Sequence, residues 1–89
     1  MTEREVEIVN RLGLHARAAA RLVTLAQRFQ SDVRLAHGTR EANGKSIMGV
    51  LKLGATRGSR IHIRAEGPDE GEAVAALVAL VRDRFGEDQ

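Results

Sequence analysis

"GLHARAAARLVTLAQRF", Gly13 to Phe29, decides the reading of the whole chain. From Ala16 onward, Ala19, Leu22, Val23, Ala26 and Phe29 recur at the spacing of one helical face, with Arg21 and Arg28 on the wetter side. The spacing predicts a helix over Ala16–Phe29. Just before it, Glu5 to Val9 alternates, with Val6 and Ile8 on one side and Glu5 and Glu7 on the other, as in a half-buried strand. Asn10 to Gly13 is a polar connection between the two. A strand running through a short turn into a strong helix is the first unit of an α+β fold.

Working outward, Asp32 to His37 alternates again, with Val33 and Leu35 inward, and Arg40 to Ala42 is a short strand. His37 and Gly38 fall at the join, which predicts a hairpin. Asn43-Gly44 signals a turn. Ser46 to Leu53 is an apolar segment opened by a capping residue and closed by Gly54, so a short helix is expected. Gly49 weakens it by about 1 kcal/mol relative to alanine. Packing of Val50, Leu51 and Leu53 must therefore hold it, with Ile47 and Met48 left partly exposed. Arg60 to Glu66 places Ile61, Ile63 and Ala65 inward. After Gly67-Pro68-Asp69 a final helix runs from its Asp69 cap to about Phe85, burying Ala73, Val74, Leu77, Leu80 and Val81. The order βαββαβα predicts an α+β open-faced sandwich: a four-stranded, mainly antiparallel sheet with three helices on one face. The other face, with Glu5, Glu7, Arg34, His62 and Arg64, is expected to be wet.

Residues 1–89 read as a single domain. A chain of this length buries roughly 60–65% of the surface its unfolded form exposes. That suffices for one core, but not for a deep active site with a cofactor cradle, and no cofactor is expected. The chain has no cysteine, which removes disulfides and thiolate metal sites. No apolar run approaches the roughly 20 residues of a membrane span, and no secretory leader is visible. The expected location is cytoplasmic, without membrane association. Arginine supplies twelve of the fourteen basic residues, yet the net charge is only +2. No long single-sign block exists, so nucleic acid is not an expected partner. The two aromatics, Phe29 and Phe85, cannot make a base-stacking surface.

His15 sits where a helix cap belongs. The first N–H groups of the following helix lack internal partners, and the dipole there is positive. Such an end attracts anions, phosphate especially. Arg17, in the first turn, can fork onto phosphate oxygens, and Arg11 and Arg21 add a weaker field. The same dipole favours the neutral ring, whose nitrogen lone pair is free to attack phosphorus. The alanines at 16, 18, 19 and 20 leave room for a donor protein. His37 and His62 lie in separate strands and share no ligand spacing with His15, so no metal site is expected. "NGKS", Asn43 to Ser46, is not a nucleotide-binding loop: that motif needs a glycine where Thr39 stands.

"NRLGLHARAAA", Asn10 to Ala20, resembles the active-site signature of the HPr family, the histidine-containing phosphocarriers of the bacterial phosphotransferase system. "GKSIMGVLKLG", Gly44 to Gly54, resembles that family's regulatory-serine segment, at matching separation. The resemblance implies that His15 takes a phosphoryl group from Enzyme I, charged by phosphoenolpyruvate, and gives it to IIA proteins. It implies attack through Nδ1, a choice the residues themselves leave open. It assigns Arg17 to the phosphoryl oxygens and Ser46 to regulation by a serine kinase/phosphorylase. It also implies a docking surface of Leu14, Ile47, Met48 and Leu51. The expected molecule is a monomeric carrier, not a free-standing enzyme. The family usually has proline after the arginine, where this chain has Ala18. Sugar-transport and nitrogen-related branches fit equally. An ACT-like small-molecule-binding module shares the element order and is the alternative, although it leaves His15, Arg17 and Ser46 unexplained.

Overall fold

The computed structural model describes residues 1–89. Its elements are β1 (Thr2–Glu7), α1 (Ala16–Ala26), β2 (Asp32–His37), β3 (Arg40–Asn43), α2 (Ile47–Leu51), β4 (Arg60–Glu66) and α3 (Glu70–Arg82), followed by a 3-10 turn at Arg84–Gly86. The four strands form one sheet in the order β1-β4-β2-β3. Every neighbouring pair is antiparallel, with Val6 opposite Ile61 and Leu35 opposite Ile63. The predicted βαββαβα sandwich is the observed one.

Alternation explains why the sheet is covered on one side. Along β4, Ile61, Ile63 and Ala65 are buried while Arg60, His62, Arg64 and Glu66 are not. Side chains two apart share a face, so one face carries the whole apolar set. Helix α3 packs on β1 and β4, and α1 packs against α2 and α3. The resulting core includes Leu22, Val33, Leu35, Val50, Ile61, Ile63, Leu77 and Phe85, all essentially inaccessible. Burial of each such leucine or isoleucine contributes about 1.5–3 kcal/mol. The opposite face is charged: Arg60 reaches Glu5 at 3.3 Å, His62 reaches Glu3 at 3.4 Å, and Arg64 reaches Glu41 at 3.4 Å.

Several boundaries differ from the periodicity. The first strand runs over Thr2–Glu7, not Glu5–Val9. Thr2, Glu3 and Arg4 carry no apolar signal, but pairing with Ala65, Arg64 and Ile63 recruits them. Ile8 is buried beyond the strand, where its N–H donates to the Ser59 carbonyl at 2.8 Å. Helix α1 ends at Ala26; Arg28 and Phe29 continue in tighter bonds to Leu25 and Ala26, and Phe29 is only half-buried. Helix α2 keeps only Ile47–Leu51 of the expected Ser46–Leu53. β3 extends one residue further, to Asn43.

In α3 Val78 joins the expected Ala73, Val74, Leu77 and Val81 in the core, whereas Leu80 is half-buried. Asp69 stands at its N-cap position but makes no side-chain bond to the helix. Its carboxylate instead accepts from Gln30 N–H, Ser31 N–H and the Ser31 hydroxyl, at 2.9, 2.9 and 2.5 Å. It ties the connection between α1 and β2 to the start of α3. The expected helix to Phe85 stops at Arg82, because Arg84 and Phe85 take left-handed backbone, with φ of 57° and 55°. That turn drives the Phe85 ring fully into the core and redirects the chain after it.

Candidate functional site

His15 is the N-cap of α1, with extended backbone at φ −73° and ψ 178°. Its ring folds back so that Nδ1 accepts a hydrogen bond from Arg17 N–H at 3.3 Å. The first backbone bond of the helix runs from Ala19 N–H to the His15 carbonyl, at 2.9 Å. The N–H groups of Ala16, Arg17 and Ala18 therefore precede the internal ladder and face the mouth of the helix. A glycine makes this geometry possible. Gly13 has φ +67°, and a Cβ there would lie 2.8 Å from the Ala55 carbonyl oxygen and from Thr56 Cα. The Leu14 N–H then donates to Ala55 at 3.0 Å, docking the loop on the segment before β4.

The other ring nitrogen has a partner that periodicity did not indicate. His15 Nε2 lies 2.6 Å from Glu87 Oε2. The second carboxylate oxygen accepts from Asn10 Nδ2 at 3.1 Å, and the same amide donates to the Gly13 carbonyl at 2.8 Å. Asn10 is fully buried, and its Oδ1 finds no partner. Burial pushes the Glu87 carboxyl up. Hydrogen bonds from His15 and Asn10, with the charges of His15 and Arg17, outweigh this and hold it below the usual carboxylate range. No local signal marks Glu87, which lies 72 positions from His15; only the path of the chain past Phe85 brings it there.

His15, Arg11, Arg17, Arg21, Glu87 and Asp88 line one shallow, open depression. The three arginines are not equivalent. Arg11 donates to the Gln89 side chain at 2.9 Å, and Arg21 donates to the Phe85 carbonyl. The Arg17 guanidinium makes no hydrogen bond or ion pair in the chain. It is the cation of this depression left free for an incoming anion. His37 and His62 are elsewhere: His37 Nδ1 bonds the Leu53 carbonyl at 2.7 Å, and His62 lies on the charged sheet face.

Ser46 is the N-cap of α2, and its Oγ accepts from Gly49 N–H at 3.2 Å. Gly49, a weak helix former, is explained by proximity. A Cβ there would lie 3.3 Å from Ala42 Cβ and 3.4 Å from Ser46 Oγ, a tight fit that α2 and β3 would have to give slightly to accept. Val50 and Leu53 are buried and Leu51 is half-buried, while Ile47 and Met48 are 43% and 65% exposed. Leu14 is a correction: it is 5% exposed and packs in the core, so it supports the loop beneath His15 and offers no surface. The exposed leucine of that loop is Leu12.

An antiparallel open-faced sandwich with a histidine at the mouth of its first helix, beside a free arginine, defines a class of small domain fitted to receive an anion such as phosphate. A family model described as "PTS HPr component phosphorylation site" matches residues 2–83. The chain is 48% identical to the phosphocarrier protein HPr of Cupriavidus necator over 89 residues, covering 100% of each. It superposes on a crystal structure of HPr-C-His from Thermoanaerobacter tengcongensis with a TM-score of 0.96, at 44% identity and 100% coverage of both chains. This chain belongs to the HPr family of phosphocarrier proteins, which sets aside the ACT-type alternative. A second structure from the same organism is of an HPr dimer, with a TM-score of 0.78, 45% identity, and coverage of 98% of this chain and 100% of that one. The expectation of a monomer is weakened accordingly. No helix of the chain is long and apolar enough to cross a membrane.

Proposed function

We propose that this chain, acting as one domain in the cytoplasm, accepts a phosphoryl group on His15 from phosphorylated Enzyme I and passes it to IIA proteins. The observation that carries the reading is the environment of Nδ1. This nitrogen faces an N–H donor, so it carries a lone pair, while Nε2 faces a carboxylate and carries the proton. Nδ1 is thus the nucleophile, and it opens onto free N–H groups at the positive end of α1. Arg17 supplies a two-pronged cation for the phosphoryl oxygens. The depression is open, as transfer between proteins requires. Ile47, Met48 and the half-buried Leu51 supply an apolar docking surface on α2, which packs against α1. Ser46, at the start of that helix, is the regulatory site for a serine kinase/phosphorylase.

The test uses the purified chain, Enzyme I and labelled phosphoenolpyruvate. Acid-labile label is expected on His15 and none on His15→Ala. Arg17→Ala should slow uptake by about 10–100-fold, the worth of a charge-assisted contact, with Arg17→Lys restoring part of the rate. Acid-stable label, or label persisting in His15→Ala, refutes the reading.

A further inference from the structure

We propose that Glu87 is a positioning residue for phosphoryl transfer: its carboxylate holds the proton on His15 Nε2 through both uptake and delivery. The inference rests on His15 being the acceptor and concerns what acts on the far side of its ring. Glu87 lies outside the residues 2–83 that the family model matches.

The placement of Glu87 is built into the fold. Phe85 is fully buried and anchors the chain immediately before it. Arg84 and Phe85 both have left-handed backbone, which non-glycine residues adopt only when the surroundings demand it. Arg21 grips the Phe85 carbonyl. Beyond this turn Glu87 is aimed at the ring, with Oε2 2.6 Å from Nε2. Its other oxygen is held 3.1 Å from the amide of the fully buried Asn10, which also fixes the Gly13 carbonyl. A carboxylate merely passing a histidine would need neither the buried amide nor the constrained turn.

The chemistry follows from where the proton sits. During uptake the Nδ1 lone pair forms a bond to phosphorus. The bond from phosphorus to the phosphorylated donor protein breaks, and its electron pair leaves with the donor. The ring then carries phosphoryl on Nδ1 and hydrogen on Nε2, and is cationic. The Glu87 carboxylate lies against that N–H and offsets the charge as it develops, as the carboxylate of a catalytic triad does for its histidine. In delivery the phosphorus–Nδ1 bond breaks and the electron pair returns to Nδ1. Because the proton has stayed on Nε2, the ring leaves as neutral imidazole. Without that proton it would have to leave as imidazolate, a far poorer leaving group. No proton enters or departs in either direction.

The test compares wild type with Glu87→Gln, Glu87→Asp and Glu87→Ala. Nitrogen-15 NMR of the His15 ring reads the Nε2–H directly, and single-turnover phosphotransfer reads uptake from Enzyme I and delivery to a IIA protein. The wild type should show a slowly exchanging Nε2–H. In Glu87→Ala that signal should be lost to solvent exchange, and both uptake and delivery should slow by about 10–100-fold. Glu87→Gln, an acceptor without charge, should keep a weaker signal and transfer at an intermediate rate. Glu87→Asp should restore more of the rate than Glu87→Gln. Thermal melts should be nearly unchanged, separating this role from a structural one. An unchanged Nε2–H in Glu87→Ala, or transfer within twofold of wild type, overturns the proposal while leaving His15 as acceptor. Faster transfer in Glu87→Ala, expected if Glu87 only covered the ring, overturns it too. Label on a residue other than His15 in the wild type overturns both readings.

Discussion

Replacing Gly13 with alanine should destabilise the fold more than any other single-methyl addition in the site loop. Two terms add. With φ at +67°, an L-alanine sits in the left-handed region at a cost of about 1–2 kcal/mol. Its Cβ would also lie 2.8 Å from the Ala55 carbonyl oxygen and 2.8 Å from Thr56 Cα. Both are backbone atoms, so no side chain can turn aside. The loop must move, and overpacking of this kind costs about 1–3 kcal/mol. The expected loss is about 2–5 kcal/mol, a large share of the 5–15 kcal/mol typical of a whole domain. Movement would also stretch the 3.0 Å bond from Leu14 N–H to Ala55 and the 2.8 Å bond from Asn10 to the Gly13 carbonyl. His15, two residues on, would lose its seat. Gly38→Ala is the internal control. Gly38 has φ +61° with nothing within 4 Å of an added Cβ, so it carries the backbone term alone. Urea melts followed by circular dichroism, extrapolated to zero denaturant, measure both variants. Gly13→Ala should lose at least about 1 kcal/mol more than Gly38→Ala, the low end of the overpacking term. Equal losses would refute the claim that close approach of the 55–56 backbone fixes this residue as glycine.

Three further outcomes are expected. Ala18→Pro should raise stability by about 0.4–1 kcal/mol, since the helix ladder begins at Ala19 N–H and the Ala18 N–H contributes no bond to it; denaturant melts showing a clear loss would mean that the buried first turn has no room for the ring. Phosphate on Ser46 should stabilise α2 in hydrogen-exchange measurements, yet slow phosphotransfer to His15 at low salt by placing about −1.5 to −2 charges beside Ile47 and Met48; the slowing should fade as salt rises, and equal low-salt rates would leave Ser46 a helix cap only. The Ser31 hydroxyl, followed by the Gln30 N–H, holds the Asp69 carboxyl below its ordinary value near about 4. A depressed folded-state value means that the stabilisation is full above the ordinary value and is lost as pH falls through the depressed one. Asp69→Asn should therefore melt below wild type at pH 7, with the gap closing as pH falls below the ordinary carboxylate value; a pH-independent gap would rule this linkage out.

What was legible in the sequence was what a few neighbouring residues encode. Alternation of Ile61, Ile63 and Ala65, and the helical stripe of Ala19, Leu22, Val23 and Ala26, identified elements whose buried faces the structure retains. His15 and Ser46 at helix starts, and Arg17 in the first turn, were also readable, because a helix end is a local object. The tertiary structure decided the rest. It recruited Thr2–Arg4 into β1 through pairing with β4 and buried Leu14 under the site loop. It turned Asp69 from an expected cap into a cross-link between the α1–β2 connection and the start of α3. Above all, it carried Glu87 across 72 positions to the far side of the His15 ring. Periodicity reports which face of an element is buried within one or two turns of chain. A contact made after the final helix depends on the left-handed turn at Arg84 and Phe85, which forms only once Phe85 has a core to enter.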